Sequence, residues 1–224
     1  LTVLPANLSR LVIDPYREAC KVSTAIRGLE LPQPFMVTGF DQAPQEVRSA
    51  VANGLAETDS CYLGAAPIAE NVRWLQLLDP GAEPSKDAAA LVYRMGKSFV
   101  PIEAKRLTDD QLLGVTVSSP QALEEAIPFA LEAGLDMMVL DASGGLGERW
   151  PELAGPPDLS MMRDAIRILR RLDREEEIDL VYFGGLRSGT DASKVIAMGC
   201  VATLFGALAG FAAGGVIVQG NDLA

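Results

Sequence analysis

The sequence predicts an α/β protein of the parallel-barrel class, a (β/α)8 TIM-barrel-like fold in an abbreviated or incomplete form. Short apolar runs alternate with amphipathic segments, as expected when each strand of a parallel sheet is buried on both faces and followed by a helix. Two such runs near the C-terminus, 178–183 and 201–205, each lead into glycine. The length of 224 residues fits a single domain, with an N-terminal arm (1–33) and a barrel (34–224).

The elements follow from local pattern. Strands are predicted where apolar runs are bounded by glycine, proline or polar turn residues, at 34–38, 61–64, 99–104, 114–118, 137–140, 178–183 and 201–205. Helices are predicted where apolar residues recur every three or four positions, at 44–55, 68–78, 88–95, 119–133 and 159–172. Residues 1–28 are predicted as an irregular arm and residues 79–86 as a loop.

Composition excludes several function classes. The formal charge of −11 argues against a nucleic-acid binder, which needs a basic surface against the phosphates. Histidine is absent, so the commonest general base and the commonest zinc ligand are missing, and no metal site is expected. The three cysteines, Cys20, Cys61 and Cys200, are scattered, which predicts a reducing, cytoplasmic location without a disulfide framework.

One segment raises the question of a membrane. No charged residue occurs from Val195 to Gly220, which is long enough to span a bilayer. Gly206, Gly210 and Gly214 are also spaced as in packed membrane helices. We favour the alternative of a helix end, a core strand and a second apolar helix, because glycines interrupt the run where such boundaries would fall.

The two strand ends that run into glycine give the strongest functional signal. In a (β/α)8 barrel the loops after the last two strands commonly bind phosphate, because bare main-chain N–H groups there face the anion. Gly184 and Gly185 follow the first of these strands, and Phe205 with Gly206 ends the second. Arg187 would add a charge-assisted contact. The alternative is a pair of ordinary βα turns in a barrel that no longer binds a ligand.

Several stretches resemble the FMN-binding synthase domain of the glutamate synthase family, including its archaeal-type and N-methylglutamate-synthase-like relatives. Residues 4–11 (LPANLSRL) and 13–18 (IDPYRE) are similar to the family's LPAQLSRLPIDPYREP segment, and 184–191 (GGLRSGTD) is similar to its GGLRTGAD. The resemblance covers residues 1–55 and about 99–210. Shorter matches in family order lie at 34–39, 102–105, 133–136, 143–147 and 194–199.

The resemblance implies an FMN-dependent oxidoreductase of amino-acid biosynthesis. Ammonia or an amine from a glutaminase-type partner would condense with a 2-oxoglutarate-like substrate, and reduced FMN would add hydride to the imine. Electrons would come from a donor subunit. By the same resemblance Gly39 and Phe40 would lie against the flavin ring, although a tight βα turn is the alternative for both.

The resemblance also implies a catalytic pair and a loop beside it. Lys105 follows the family's IEIK-like strand, where a cation would stabilise reduced flavin, unless it is simply a solvated lysine at a strand exit. Asp141 precedes a loop that would edge the substrate or the flavin. Two glycines of that loop, Gly144 and Gly145, complete the predicted cofactor contacts.

The chain departs from the family pattern in ways that matter for catalysis. Several tens of residues are missing after Lys105, Thr116 stands where the family has a lysine, and Leu146 replaces a threonine. No cysteine follows Cys200, so no iron–sulfur cluster is expected to be held by that region. These departures favour a second hypothesis, a catalytically eroded barrel that serves as a structural or regulatory subunit of a larger complex. A third is that a stretch after Lys105 is absent from this sequence.

Overall fold

A computed structural model describes residues 22–95, 98–218 and 222–223. An antiparallel hairpin, β1 (Thr24–Ile26) and β2 (Leu29–Leu31), precedes a closed barrel of eight parallel strands. The barrel strands are β3 (Phe35–Thr38), β4 (Cys61–Gly64), β5 (Arg73–Leu78), β6 (Ala90–Arg94), β7 (Leu112–Val117), β8 (Met137–Asp141), β9 (Asp179–Phe183) and β10 (Ala202–Phe205). A short antiparallel pair follows, β11 (Ile217–Val218) and β12 (Asp222–Leu223).

The predicted barrel class is confirmed, and the barrel is complete. Each strand pairs with the next one in the sequence, and β10 closes the barrel on β3, with Leu204 opposite Met36. The incomplete form that the sequence analysis allowed is therefore not observed in the strands.

Relative to a full (β/α)8 barrel, the described part of the chain has fewer helices between the strands. Helices follow β3, β7, β8, β9 and β10: α1 (Gln45–Glu57), α2 (Leu123–Glu132), α3 (Ser160–Leu172), α4 (Gly189–Ala197) and α5 (Ala207–Ala212). Within the part of the chain that the structure describes, no α-helix joins β4 to β5, β5 to β6 or β6 to β7. Coil segments cover that side of the barrel instead.

Three predicted elements differ from the structure. The predicted helices at 68–78 and 88–95 contain β5 and β6, because a continuous apolar run suits a buried helix and a doubly buried strand equally well. The predicted strand at 99–104 is coil. Val100 is 60% exposed, and Pro101 cannot donate a hydrogen bond to a strand ladder.

The amino-terminal end of the barrel is closed by the β1–β2 hairpin. Ile26 and Leu31 are fully buried and pack into the apolar interior of the barrel. The hairpin is tied to the strands by hydrogen bonds from the Arg73 guanidinium to the Glu30 carbonyl (2.5 Å) and from Arg27 N to Asp179 Oδ2 (2.8 Å).

The hairpin lies partly within the arm that the sequence predicted to be irregular. The LPANLSRL and IDPYRE motifs and Cys20 lie outside the described residues.

The uncharged C-terminal stretch divides as we favoured from the sequence. It contains the end of α4, strand β10 and helix α5. Among the residues described, none of the helices is both long and apolar enough to cross a membrane.

Candidate functional site at the carboxyl-terminal mouth of the barrel

The two glycine-containing loops lie side by side, as predicted. Strands β9 and β10 are parallel neighbours, with Leu204 opposite Phe183, so the turns that follow them leave the barrel at the same end. A Cβ placed on Gly39, after β3, would lie 4.0 Å from the Gly206 Cα. Gly184 has a φ of 147°, a backbone conformation that favours glycine. The fold therefore brings the predicted cofactor-binding loops together.

Residues 143–158, between β8 and α3, fold across this mouth, and we call them the closing segment. Asp141 holds their first turn in place. Its Oδ1 accepts hydrogen bonds from Ser143 Oγ (2.8 Å) and Gly144 N (2.9 Å), and its Oδ2 accepts one from Leu146 N (2.8 Å). Burial raises the pKa of Asp141, and these donors oppose that rise. Both carboxylate oxygens are thus used by the chain's own loop.

The glycines of this loop serve the turn. Gly144 has a φ of 74° and open space beside its Cα, while a Cβ on Gly145 would lie 2.8 Å from Pro151 Cβ. Farther along, Asp158 N donates to the Ala142 carbonyl (2.8 Å) and fixes the other end of the closing segment.

Glu152, in the closing segment, occupies the turn after β10. Its Oε1 accepts a hydrogen bond from Ala207 N at 2.9 Å. A Cβ on Gly206 would lie 3.0 Å from Oε2. That oxygen is buried and has no hydrogen-bond partner among the described residues. Burial raises the pKa of Glu152, and the Ala207 and Gly206 amides oppose the rise. A carboxylate of the chain itself therefore stands where the sequence predicted a phosphate.

Pro157 fills the space beside the β9 turn. Its Cδ and Cγ would each lie 3.0 Å from a Cβ placed on Gly185. Gly184 is equally confined, because a Cβ added at this position would lie 3.1 Å from Ser143 N. The glycines permit close packing by the protein itself.

Trp150 covers the turn after β3. A Cβ on Gly39 would lie 3.3 Å from the indole Cζ3, and the ring meets Phe40 edge to face with centroids 5.1 Å apart. Trp150 has a φ of 48°, an uncommon backbone conformation for a bulky residue. Its buried Nε1 has no hydrogen-bond partner in the described part of the chain. Gly39 and Phe40 thus contact an indole ring where the resemblance places a flavin.

Lys105 does not reach the mouth. It is exposed and adjoins Arg106, whose Nε donates to the Gln111 carbonyl (2.9 Å) and whose Nη2 donates to Asp136 Oδ2 (2.7 Å). Gln111 and Asp136 immediately precede β7 and β8, which places Arg106 at the amino-terminal end of the barrel. The expected position of Lys105 at a strand exit is wrong, because residues 99–104 do not form a strand.

Arg187 and Phe205 are not among the residues that line the cavity at the mouth. Arg187 is exposed, and its main-chain N donates to Asp191 Oδ2 (3.2 Å) in the first turn of α4. Lys194 lowers the pKa of Asp191 through a hydrogen bond. Phe205 packs against Phe35 with centroids 5.5 Å apart. Both residues support local structure.

Four residues of the mouth were not predicted from the sequence: Trp150, Glu152, Pro157 and Arg94. The Arg94 Nε lies 3.1 Å from Asp79 Oδ1, and its guanidinium packs against Gly147. Arg94 was missed because β6 was predicted as a helix. The other three lie in a loop of mixed polarity, where no local pattern shows which distant element a side chain will meet.

A cavity of about 340 Å³ remains between the closing segment, α1 and α5. Its lining is mainly apolar and includes Phe40, Val47 and Gly210. Asp41 borders it, and its carboxylate accepts hydrogen bonds from Tyr62 Oη (3.2 Å) and Ala65 N (3.2 Å). In the described ranges no group of three or more His, Cys, Asp or Glu residues could hold a metal ion.

Comparison with known proteins supports the relationship suggested by the motifs. No protein-family model matches the chain. Over 85 residues it is 37% identical to a glutamate synthase large subunit-like protein of Rhizobium meliloti (strain 1021). The resemblance to the glutamate synthase family is confirmed. The match covers 36% of this chain and 19% of the relative, so the chain spans about a fifth of the curated protein that it matches.

Solved structures share the fold. A mandelate oxidase with 2-hydroxy-phenylacetamide superposes with a TM-score of 0.59 and 17% identity over 86% of this chain and 70% of the oxidase. A flavocytochrome b2 with pyruvate bound superposes with a TM-score of 0.60 and 15% sequence identity, over 90% of this chain and 65% of the flavocytochrome chain. A mandelate oxidase with a monooxide FMN adduct superposes with a TM-score of 0.56 and 16% sequence identity, over 86% of this chain and 71% of the oxidase chain. The chain therefore shares the barrel fold of these structures.

The residues at the mouth do not fit FMN in this arrangement. A phosphate at the β9 and β10 turns would meet the Glu152 carboxylate and the Pro157 ring. A flavin ring over Gly39 would meet the Trp150 indole. The barrel fold of these structures is present, while side chains of the closing segment occupy the turns after β3, β9 and β10, beside the cavity of about 340 Å³.

Proposed function

We propose that this chain is a catalytically eroded barrel of the glutamate synthase type that serves as a structural or regulatory subunit of a larger complex. The observation that carries the proposal is the state of Asp141. This buried carboxylate at the exit of β8 gives both oxygens to its own loop. Buried and hydrogen-bonded through both oxygens, it acts as a structural group that holds the loop.

The other ionisable groups at the mouth support the same conclusion. Reduction of an imine needs a proton donor within hydrogen-bonding reach of the substrate. The Asp41 carboxylate accepts hydrogen bonds from Tyr62 and Ala65. Glu152 Oε1 accepts one from Ala207 N, and its Oε2 is buried away from the surface. The lysines of the described ranges lie elsewhere, at positions 86, 105 and 194.

An exposed apolar segment favours a partner protein. Phe211 is 38% exposed, and Val216 and Ile217 are 60% and 59% exposed. A contiguous exposed apolar surface is typical of a protein–protein contact. We call residues 211–218 the C-terminal apolar segment and propose that a partner subunit covers it.

The subunit role is tested in cells that carry the native complex. Tagged wild-type chain and the double variant Val216→Asp/Ile217→Asp are compared by size-exclusion chromatography of gently lysed cells. We expect the wild-type chain to elute with a large complex and the double variant to elute at its own mass. Leu159→Asp is the matched control, because Leu159 is 67% exposed outside this segment. Elution of the wild-type chain at its monomer mass of 23.8 kDa would refute the role.

The competing function is the FMN-dependent reductive amination of 2-oxoglutarate, with ammonia or an amine from a glutaminase partner. The 37% identity to the glutamate synthase large subunit-like protein favours it, as does the shared fold. Glutamate formation is measured from 2-oxoglutarate and ammonia with chemically reduced FMN. The eroded-barrel proposal predicts no turnover above a protein-free control. Saturable, protein-dependent glutamate formation would establish the competing function.

A further inference from the structure

A barrel whose acid–base groups are buried or committed to its own hydrogen bonds could still hold a flavin, because proton transfer and cofactor binding use different residues. The occupation of the mouth is therefore a separate question from catalysis. We infer that the closing segment is a built-in substitute for the cofactor. Its Glu152 carboxylate takes the place of the cofactor phosphate, and its Trp150 indole takes the place of the flavin ring.

The Glu152 contact resembles the recognition of an anion. Main-chain N–H groups at a glycine-containing turn are suited to bind a negatively charged oxygen. Ala207 N donates to Glu152 Oε1 at 2.9 Å, and the second carboxylate oxygen lies 3.0 Å from the position of a Gly206 Cβ. A phosphate would need the same donor and the same volume. Its charge would also be repelled by the carboxylate already there.

Two further contacts exclude the cofactor by volume alone. Pro157 lies against Gly185 at 3.0 Å, and Trp150 lies against Gly39 at 3.3 Å, both measured to an added Cβ. These contacts lie at two different turns of the mouth. Asp141 anchors one end of the closing segment, and the hydrogen bond from Asp158 N to the Ala142 carbonyl anchors the other. The segment therefore closes the mouth as one unit.

The closing segment contains features that oppose stability. Glu152 Oε2 and Trp150 Nε1 are buried without a hydrogen-bond partner in the described residues, and leaving such atoms unpaired is unfavourable. Local departures of this kind are expected at functional positions. Occupation of the mouth, rather than stabilisation of the barrel, accounts for a carboxylate at this place.

The experiment compares the full-length wild-type chain with three variants. Glu152→Ala removes the carboxylate, and Glu152→Gln keeps a hydrogen-bond acceptor for Ala207 without the charge. Glu148→Ala is the matched control, because Glu148 is an exposed carboxylate of the same segment. Thermal unfolding is followed against increasing inorganic phosphate, and against potassium chloride at matched ionic strength. A ligand that binds only the folded state raises the unfolding temperature.

We expect phosphate to raise the unfolding temperature of Glu152→Ala above its value in chloride, with an apparent affinity at least tenfold higher than for wild type. For wild type and for Glu148→Ala, phosphate should raise the unfolding temperature no more than chloride does. If Glu152→Ala fails to fold, Glu152→Gln replaces it and should show the same direction of change. A folded Glu152 variant that responds like Glu148→Ala would overturn the inference.

A second measurement separates this inference from the proposed function. FMN is titrated into wild-type protein, and flavin fluorescence anisotropy is recorded. We expect no binding. Micromolar FMN binding without glutamate formation would overturn the inference and leave the eroded-barrel proposal standing. FMN binding with glutamate formation would overturn both.

Discussion

At the amino-terminal end of the barrel, the β1–β2 hairpin inserts the fully buried Ile26 and Leu31 into an apolar cluster. At the carboxyl-terminal mouth, the closing segment inserts the carboxylate of Glu152 and the indole of Trp150. Both ends are closed by the chain itself, and a buried polar atom without a hydrogen-bond partner in the described residues occurs at each, Arg73 Nε beside the hairpin and Glu152 Oε2 in the mouth. The ends differ in what is inserted, aliphatic side chains at the first and a carboxylate with an indole at the second.

The difference separates a structural end from a functional one. Burial of apolar side chains at the hairpin contributes directly to stability. The mouth instead carries a buried carboxylate of raised pKa and a tryptophan at positive φ. Barrel enzymes place their chemistry at this carboxyl-terminal end. Under the eroded-barrel proposal, an arrangement that opposes stability there marks the site that has changed its use.

The largest expected effect is on the apolar closure. Leu31→Ala should lower the free energy of unfolding by about 2–5 kcal/mol, because it leaves a cavity in the interior. Urea unfolding followed by circular dichroism measures this loss. Leu159→Ala, at a position that is 67% exposed, is the control and should change stability by less than about 0.5 kcal/mol. Equal losses for the two variants would show that the hairpin does not close the barrel.

A smaller effect is expected for the polar contacts at the same end. Gln111 is buried, and its Nε2 donates to the Ser85 and Ala88 carbonyls, each at 2.8 Å. Gln111→Ala should cost about 1–3 kcal/mol, because both acceptors lose their partner. The exposed Gln121 provides the control variant Gln121→Ala. An unfolding midpoint unchanged from wild type would mean that the coil between β6 and β7 is held by other contacts.

At the mouth, the contribution of Glu152 to the free energy of unfolding should depend on pH. Burial raises the pKa of Glu152, so the folded state binds this proton more tightly than the unfolded state. Stability from this group is therefore present at low pH and is lost as the pH rises through the folded pKa. The unfolding free energy of wild type minus that of Glu152→Gln should fall as the pH rises from about 4, near the ordinary glutamate pKa.

Urea unfolding across that pH range provides the measurement, and Glu148→Gln, at an exposed carboxylate of the same segment, serves as the control. A difference that grows with pH would mean that Glu152 is stabilised as an anion more strongly than it is penalised by burial.

The smallest effect is expected away from both ends. Arg171 pairs with Glu124 between α3 and α2 at 2.5 Å, with both side chains about half exposed (57% and 46%). Exposed pairs contribute little to stability. Arg171→Ala should leave the urea midpoint unchanged within error, and a clear loss would show that the outer helices matter more than the two closures.

The fold class could be predicted because the apolar runs of parallel strands are local features of the sequence. The adjacency of the Gly184 and Gly206 turns could also be predicted, since consecutive strands of a barrel leave it at the same end. Strands β5 and β6 could not, because their runs fit a buried helix as well. Lys105 was misplaced with the strand that was predicted before it.

The filling of the mouth could not be predicted from local pattern. Glu152 and Ala207 are 55 positions apart, and their contact depends on how the closing segment crosses the barrel. The same glycines that permit a phosphate to approach also permit a proline or a carboxylate to do so. The glycines indicate that some group approaches the main chain closely at these turns, and only the structure identifies that group.

The most direct test is the visible absorption spectrum of purified wild-type protein after incubation with excess FMN and removal of free flavin by gel filtration. We expect a colourless protein, because the side chains of Trp150, Glu152 and Pro157 already occupy the turns of the mouth. A flavin band at one equivalent per chain would contradict it.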